Sequence, residues 1–126
     1  MILLKIIAVV AIGVILGVVT NEALGADPWS SQDIALEVTW EVIHALDWGT
    51  TLDIASHRGM YEMNPILGDH PDRGRINAYM ALGAVLHPVV THFLPSKWRP
   101  YFQGFTIGMS GFCVINNFHV GLGIRF

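Results

Sequence analysis

A single stripe of polar side chains crosses an otherwise apolar segment, and it limits the possible folds more than any other feature of this sequence. From Asp33 to His57 there is no proline and only one glycine, so the segment favours a long helix. Its polar residues are spaced three or four apart, which puts them on one helical face: Asp33, Glu37, Glu41, His44, Asp47 and Thr51. Because carboxylates are costly in apolar surroundings, this face must turn into a bundle or lie at a membrane interface.

The composition indicates a membrane protein. Only 13% of the residues are charged while 52% are hydrophobic, against about 25% and about 45–50% in soluble domains. The formal net charge is −3 and no basic patch is present, so nucleic-acid binding is not expected. The single Cys113 excludes an intramolecular disulfide and a cysteine-based zinc cluster.

The N-terminal residues 1–26 have the pattern of an export segment. Lys5 is followed by an apolar run from Ile6 to Val19 and then by small residues near Gly25 and Ala26. This pattern fits a cleaved signal peptide, and it also fits an uncleaved anchor helix. Residues 27–126 then form a single membrane-embedded helical domain, whose N-terminus lies in the periplasm in either case.

Three helices are predicted after this segment, at 33–57, 75–95 and 100–117. The run from Asn77 to Leu94 contains no charged residue, and a connection rich in glycine and proline precedes it at 58–75. Arginines in that connection place it in the cytoplasm by the positive-inside rule. The sequence therefore predicts an all-α membrane protein in the inner membrane of a Gram-negative-type bacterium.

The C-terminal part allows two interpretations. A helix over 101–117 followed by a short extended tail is favoured, since its glycines form a close-packing surface. Apolar residues also alternate with small or polar ones at 105–110 and 119–126, which favours strands and an α+β fold with a C-terminal β-hairpin. The second interpretation implies an oligomeric outer-membrane protein.

The polar stripe also contains candidate metal ligands. Glu41 and His44 have the Glu-x-x-His spacing that directs two ligands at one metal on a helix, and the further candidates are Glu37, Asp47 and His87. Carboxylate-bridged sites need more ligands than the other helices offer, so we expect a hydrogen-bonded polar seam and no cofactor. No nucleophile–base pair or phosphate loop is recognisable, and the pattern does not favour an enzyme.

A motif follows the stripe. It begins with Asp47 and Thr51 and continues with Glu62, Asn64, Pro65, Gly68, His70 and Pro71. With this Asp…Thr…Glu-x-Asn-Pro-x-Leu-Gly-x-His-Pro pattern, residues 33–117 resemble a family of small uncharacterised membrane proteins of proteobacterial and phage or prophage genomes. The family has no assigned activity, so the resemblance implies no catalytic role.

The chemistry of the motif predicts a structured loop. Pro65 keeps Asn64 extended, Asn64 can close an Asx turn, and Gly68 permits a positive φ. We expect Glu62 to fold back towards Asp47 and Thr51. Two apolar residues, Ile66 and Leu67, should then insert into the base of the bundle.

The sequence favours a small membrane accessory or interaction protein, of a phage or prophage type. Its expected partners are membrane lipid and other membrane proteins or further copies of itself. The alternatives are a metal- or haem-binding membrane enzyme subunit that uses the polar stripe, and the outer-membrane oligomer. Metal analysis of the purified protein would separate the first alternative from an interaction protein.

Overall fold

The computed structural model describes Ala8 and residues 26–57 and 59–126, and it is a small helical bundle. Helix α1 spans Ser31–Ile54, α2 spans Arg73–Phe93 and α3 spans Arg99–His119, with a short 3₁₀ helix at Ser96–Trp98. The predicted set of three helices is confirmed. The predicted signal peptide or anchor at 1–26 lies outside the described residues, apart from its residues 8 and 26.

The alternative with a C-terminal β-hairpin is wrong. Helix α3 continues through 105–110, and the described part of the chain contains no strand. Each helical glycine of α3 has open space where a Cβ would be, so these glycines do not form the predicted close-packing surface with any described residue. The alternation of apolar and small residues at 105–110 does not produce a strand, because these residues belong to a continuous helix that extends to His119.

Local chemistry fixes where the helices begin. Ser30 accepts a hydrogen bond from the Asp33 amide, and the Asp33 carboxylate accepts one from the Ser30 amide, which completes a capping box at α1. Asp72 caps α2 through the amide of Arg75. Pro100 in the first turn of α3 suits a helix start, because that turn needs no amide donor.

Helix α1 is the centre of the bundle. It runs antiparallel to α2, since His44 meets the carbonyl of Met80 while Glu37, nearer the α1 N-terminus, meets His87 further along α2. It runs parallel to α3, and its most extensive packing is with that helix. The polar stripe of α1 therefore faces both neighbouring helices.

The interior of the bundle contains more buried polar residues than buried hydrophobic ones. Buried polar or charged residues are Asp33, Glu37, Glu41, His44, Thr50, Thr51, Asp53, His87, Thr91, His92, Arg99 and Gln103. Large apolar residues lie on the outside of α2 and α3, among them Leu82, Val85, Phe93, Phe105, Phe112 and Ile115. No helix in the described ranges combines the length and the apolarity of a membrane span.

The connection between α1 and α2 closes the base of the bundle with one apolar side chain, not two. Leu67 packs with Leu52, Ile76 and Met80 in the apolar core. Ile66, which the sequence predicts to insert as well, is 63% exposed. Its amide donates to Asn64 Oδ1 and its carbonyl accepts from Arg75, so the Asx turn holds Ile66 on the outer side.

The residues after α3 fold back over the C-terminal end of α1. The amide of Gly123 donates to Asp53 Oδ2 at 2.7 Å, and the Arg125 amide donates to the Gly49 carbonyl at 2.9 Å. A Cβ on Gly49 would lie 2.7 Å from Ile124 Cγ2, so this contact requires glycine. The extended tail that the sequence predicts is present, and it is docked on α1.

Candidate functional site

A buried carboxylate organises the polar interior at the N-terminal half of α1. Glu37 is fully buried, and its Oε1 accepts a hydrogen bond from His87 Nδ1 at 2.7 Å. Its Oε2 accepts from Gln103 Nε2 at 2.8 Å and from the Thr91 hydroxyl at 3.3 Å. The Glu37 side chain of α1 thus joins α2 and α3. It accepts hydrogen bonds from one donor each of His87, Thr91 and Gln103.

Aromatic rings extend this network sideways. The Trp40 ring stacks on His87 with centroids 3.6 Å apart and on His44 at 4.5 Å. His87 also stacks on Phe102 at 4.8 Å. This stacking fixes the planes of both imidazoles, so their nitrogen atoms point in defined directions.

Arg99 connects the N-terminal end of α1 to the C-terminal end of α2. Its guanidinium is fully buried and donates to the carbonyls of Thr91, His92 and Leu94, the last turn of α2, where a positive charge also complements the helix dipole. It also donates to the carbonyls of Asp27 and Pro28, and it lies 3.5 Å from the Asp33 carboxylate.

Glu41 is different, because neither of its carboxylate oxygens has a hydrogen-bond partner among the described residues. The side chain is fully buried one turn after Glu37. Burial, together with the negative charge of Glu37, raises the pKa of Glu41 to about 8. Glu41 therefore carries a proton at neutral pH.

This assignment predicts an effect on stability. Between pH 4.5 and about 8, folded Glu41 holds a proton that the unfolded chain has lost, so its contribution to stability falls as the pH rises through that window and is constant above it. Glu41→Gln stays neutral and should gain about 2–4 kcal/mol on the wild type between pH 5 and pH 8. Denaturant unfolding at several pH values measures the difference.

Asp69→Asn is the control for that measurement, because it removes an exposed carboxyl from the loop. The free energy of unfolding of Asp69→Asn should change with pH in parallel with that of the wild type over the same range. Parallel curves for Glu41→Gln as well would show that Glu41 is ionised in the folded protein.

A cleft of about 540 Å³ opens beside the second half of the stripe. The motif residues Asp47, Thr51, Glu62 and Asn64 line it together with His44. The motif thus brings residues from helix α1 and from the loop to one surface, as the expected return of Glu62 requires. Glu62 Oε1 accepts from the Asn64 amide, which holds the loop in its turn.

Asp47 has unusual electrostatics in this cleft. Burial raises its pKa to about 7, and the negative charge of Glu62 acts in the same direction. The Asn117 side chain donates to Asp47 Oδ1 at 3.2 Å and to the Thr50 hydroxyl at 2.9 Å. No positive side chain among the cleft-lining residues offsets the two carboxyls.

The remaining motif residues shape the loop. Gly68 has φ +79°, the positive value that the sequence predicts. Pro71 is buried before α2, whereas Pro65 is exposed. His70 is exposed and lies against the ring of Tyr61, with centroids 4.7 Å apart.

The candidate metal ligands are divided between two places. Glu37 and His87 meet in the buried network, whereas His44 and Asp47 line the cleft, and His44 Nε2 donates to the Met80 carbonyl at 2.8 Å. Within the described ranges, no three His, Cys, Asp or Glu side chains are arranged to hold a metal ion.

Sequence reasoning did not identify Arg99 and Gln103 as parts of the site. The partners of Arg99 are mostly backbone carbonyls, which leave no pattern in a sequence. A buried Arg is, however, rare enough that a lone arginine between two apolar helices is a usable signal. Gln103 lies on the same side of α3 as Thr106, which is one turn away and also contacts the network.

Comparison with known proteins adds no relatives. No protein-family model matches the sequence, no curated protein matches it, and no solved structure matches it. The resemblance to small phage-type membrane proteins stays a prediction.

Proposed function

We propose that this protein is a small, non-enzymatic membrane protein that acts by contact, with the apolar exterior of α2 and α3 against lipid acyl chains. The single observation that carries this proposal is that polar side chains occupy much of the interior while many large apolar side chains are exposed. Twelve buried residues of the described ranges are polar or charged, whereas seventeen large apolar residues are exposed.

The outward positions of α2 and α3 support lipid contact in particular. Leu82, Leu86, Val90 and Phe93 recur on α2 at helical spacing, and all four are exposed. Phe105, Met109 and Phe112 do the same on α3, with exposed fractions from 56% to 72%. Monomeric soluble proteins rarely expose apolar patches of this extent, and such patches mark membrane or protein interaction surfaces.

The hydrogen bonds of the buried polar side chains support the same proposal. Buried carboxylates in lipid need partners within the protein, and the donors of α2 and α3 supply them to Glu37. The buried polar groups hold the helices together through hydrogen bonds, the kind of contact that remains available when the hydrophobic effect between helices is weak. The contact function itself would use the loop of residues 55–72 or the cleft beside it.

The test is spin labelling at single cysteines in a Cys113→Ser background, since Cys113 is exposed and has no partner among the described residues. Labels at Phe112→Cys and Leu82→Cys should gain access to oxygen and lose access to a water-soluble nickel chelate when the protein enters phosphatidylcholine vesicles. The matched control, Ser56→Cys at an exposed position just after α1, should keep access to the chelate. Full chelate access at all three positions would contradict lipid contact.

A further inference from the structure

The cleft beside α1 has the dimensions and the lining of a ligand site. Its volume of about 540 Å³ lies in the range of about 300–1,000 Å³ that small-molecule pockets occupy. One wall is apolar and is formed by Leu82 and Leu86 of α2 and by Phe105 and Met109 of α3. The carboxyl and imidazole groups that line the cleft are on α1 and the loop, and hydroxyl and amide side chains of α3, Thr106, Ser110 and Asn117, line it as well.

The charges in the cleft are uncompensated. Asp47 and Glu62 both line it, and none of the described residues that line it is Lys or Arg. Two described arginines at the start of α2 donate to backbone carbonyls, Arg75 to that of Ile66 and Arg73 to that of Leu52. A cationic ligand would supply the missing positive charge.

A second, independent observation comes from His44, which also lines the cleft and is only 6% exposed. A carbonyl oxygen can only accept, so the contact with Met80 places the imidazole proton on Nε2. Nδ1 is then a bare acceptor, and no described residue donates to it. The buried ring therefore leaves one lone pair for a ligand that carries N–H or O–H groups.

The acceptors are close enough to serve one group. His44 and Asp47 are three residues apart and Thr51 is one turn further, so they stand on one face of α1 about 5–6 Å apart between Cβ atoms. Glu62 approaches that face from the loop. A metal ion is a poorer fit than a donor cation, because the described residues include no three-ligand cluster.

We propose that this cleft binds a primary ammonium group carried on an apolar body, with the ammonium between Asp47, Glu62 and His44 and the apolar body between α2 and α3. A primary ammonium brings one positive charge and three donors, which match two carboxyls and one imidazole nitrogen. A quaternary ammonium lacks these donors, and an alcohol lacks the charge.

The experiment uses the full chain in a non-ionic detergent, so it does not depend on the lipid contact proposed above. Octylamine, octan-1-ol and octanoate are titrated by calorimetry, with the heat of mixing into empty micelles subtracted. Octylamine should bind at least about tenfold more tightly than the other two, because only it forms charge-assisted hydrogen bonds. Equal affinities for all three would overturn the proposal.

Variants locate the binding. Glu62→Gln keeps an oxygen to cap the Asn64 amide, so the loop is retained, and it should weaken octylamine binding by about tenfold to a hundredfold while octan-1-ol is unaffected. Asp47→Asn should do the same. Asp69→Asn removes an exposed carboxyl outside the cleft and should bind like the wild type. If Asp47→Asn does not fold, Glu62→Gln decides alone, and wild-type affinity in it overturns the proposal.

The ammonium can belong to a free amine or to an aminolipid headgroup, and a competition distinguishes the two. Phosphatidylethanolamine added to the micelles should reduce octylamine binding if the headgroup occupies the cleft, whereas phosphatidylcholine, which has no N–H donor, should not. Octylamine binding that neither lipid reduces supports the proposal with a free amine as the source. Equal reduction by both lipids would overturn it, because recognition would then rest on the acyl chains.

Discussion

Replacing Arg99 with methionine is expected to lower the free energy of unfolding by about 3–5 kcal/mol, the range found when one partner of a buried ion pair is removed. The guanidinium is fully buried and donates to five backbone carbonyls, of which three are in the last turn of α2. Its loss also leaves the buried Asp33 carboxylate without its cation. The α1 cap, the α2 end and the segment before α1 should loosen together.

Two controls separate charge from geometry in that measurement. Lys97→Met removes an exposed cation two residues earlier and should change stability by less than about 0.5 kcal/mol. Arg99→Lys keeps the charge but cannot reach five carbonyls, because an ammonium has three donors. Its free energy of unfolding should therefore lie between those of the wild type and Arg99→Met. Denaturant unfolding in micelles gives all three values, and a wild-type midpoint for Arg99→Met would show that the carbonyls find other donors.

The second large effect is expected at Glu37. Changing Glu37 to alanine removes the acceptor of three buried donors, from His87, Thr91 and Gln103, of which only the Gln103 amide keeps another acceptor, the Asp33 carbonyl. The expected loss is about 3–5 kcal/mol. Gln32→Ala, at an exposed position on the same helix, should cost less than about 0.5 kcal/mol.

A double-mutant cycle shows whether the loss at Glu37 comes from the network. Glu37→Ala and His87→Ala should couple by about 1–3 kcal/mol, since the two side chains are 2.7 Å apart and share one hydrogen bond. Additive effects would place the cost of Glu37→Ala elsewhere, in the packing of α1 against α3.

The helices were largely predictable from the sequence, because their signals are local. The polar stripe needs a helical period, and Gly and Pro mark the ends of all three segments. The observed bounds differ from the predicted ones by one to three residues: α1 ends at Ile54, not at 57, and α3 begins at Arg99, not at 100. The cost of carboxylates in apolar surroundings left two placements for the stripe, inside a bundle or at a membrane interface, and the structure shows the first.

The contacts between distant residues were not predictable in the same way. The sequence indicated that Glu62 would return to the stripe, but its prediction that both Ile66 and Leu67 insert is wrong for Ile66, since the turn that Asn64 closes holds that residue outside. It also did not reveal the docked tail. The one glycine of α1, Gly49, is the signal that was available, because a lone glycine inside a helix often marks a close approach.

The parallel alignment of α1 and α3 has a consequence for the order of folding. Every bond that Gln103 and Asn117 form with α1 joins residues 66 to 70 positions apart, whereas α1 and α2 are neighbours in the chain. An α1–α2 hairpin that forms first has an open side on which Glu37 lacks Gln103, so it cannot complete its buried network alone. Completing this network therefore requires a non-local closure by α3, and we expect the bundle to fold slowly for its size and helix content.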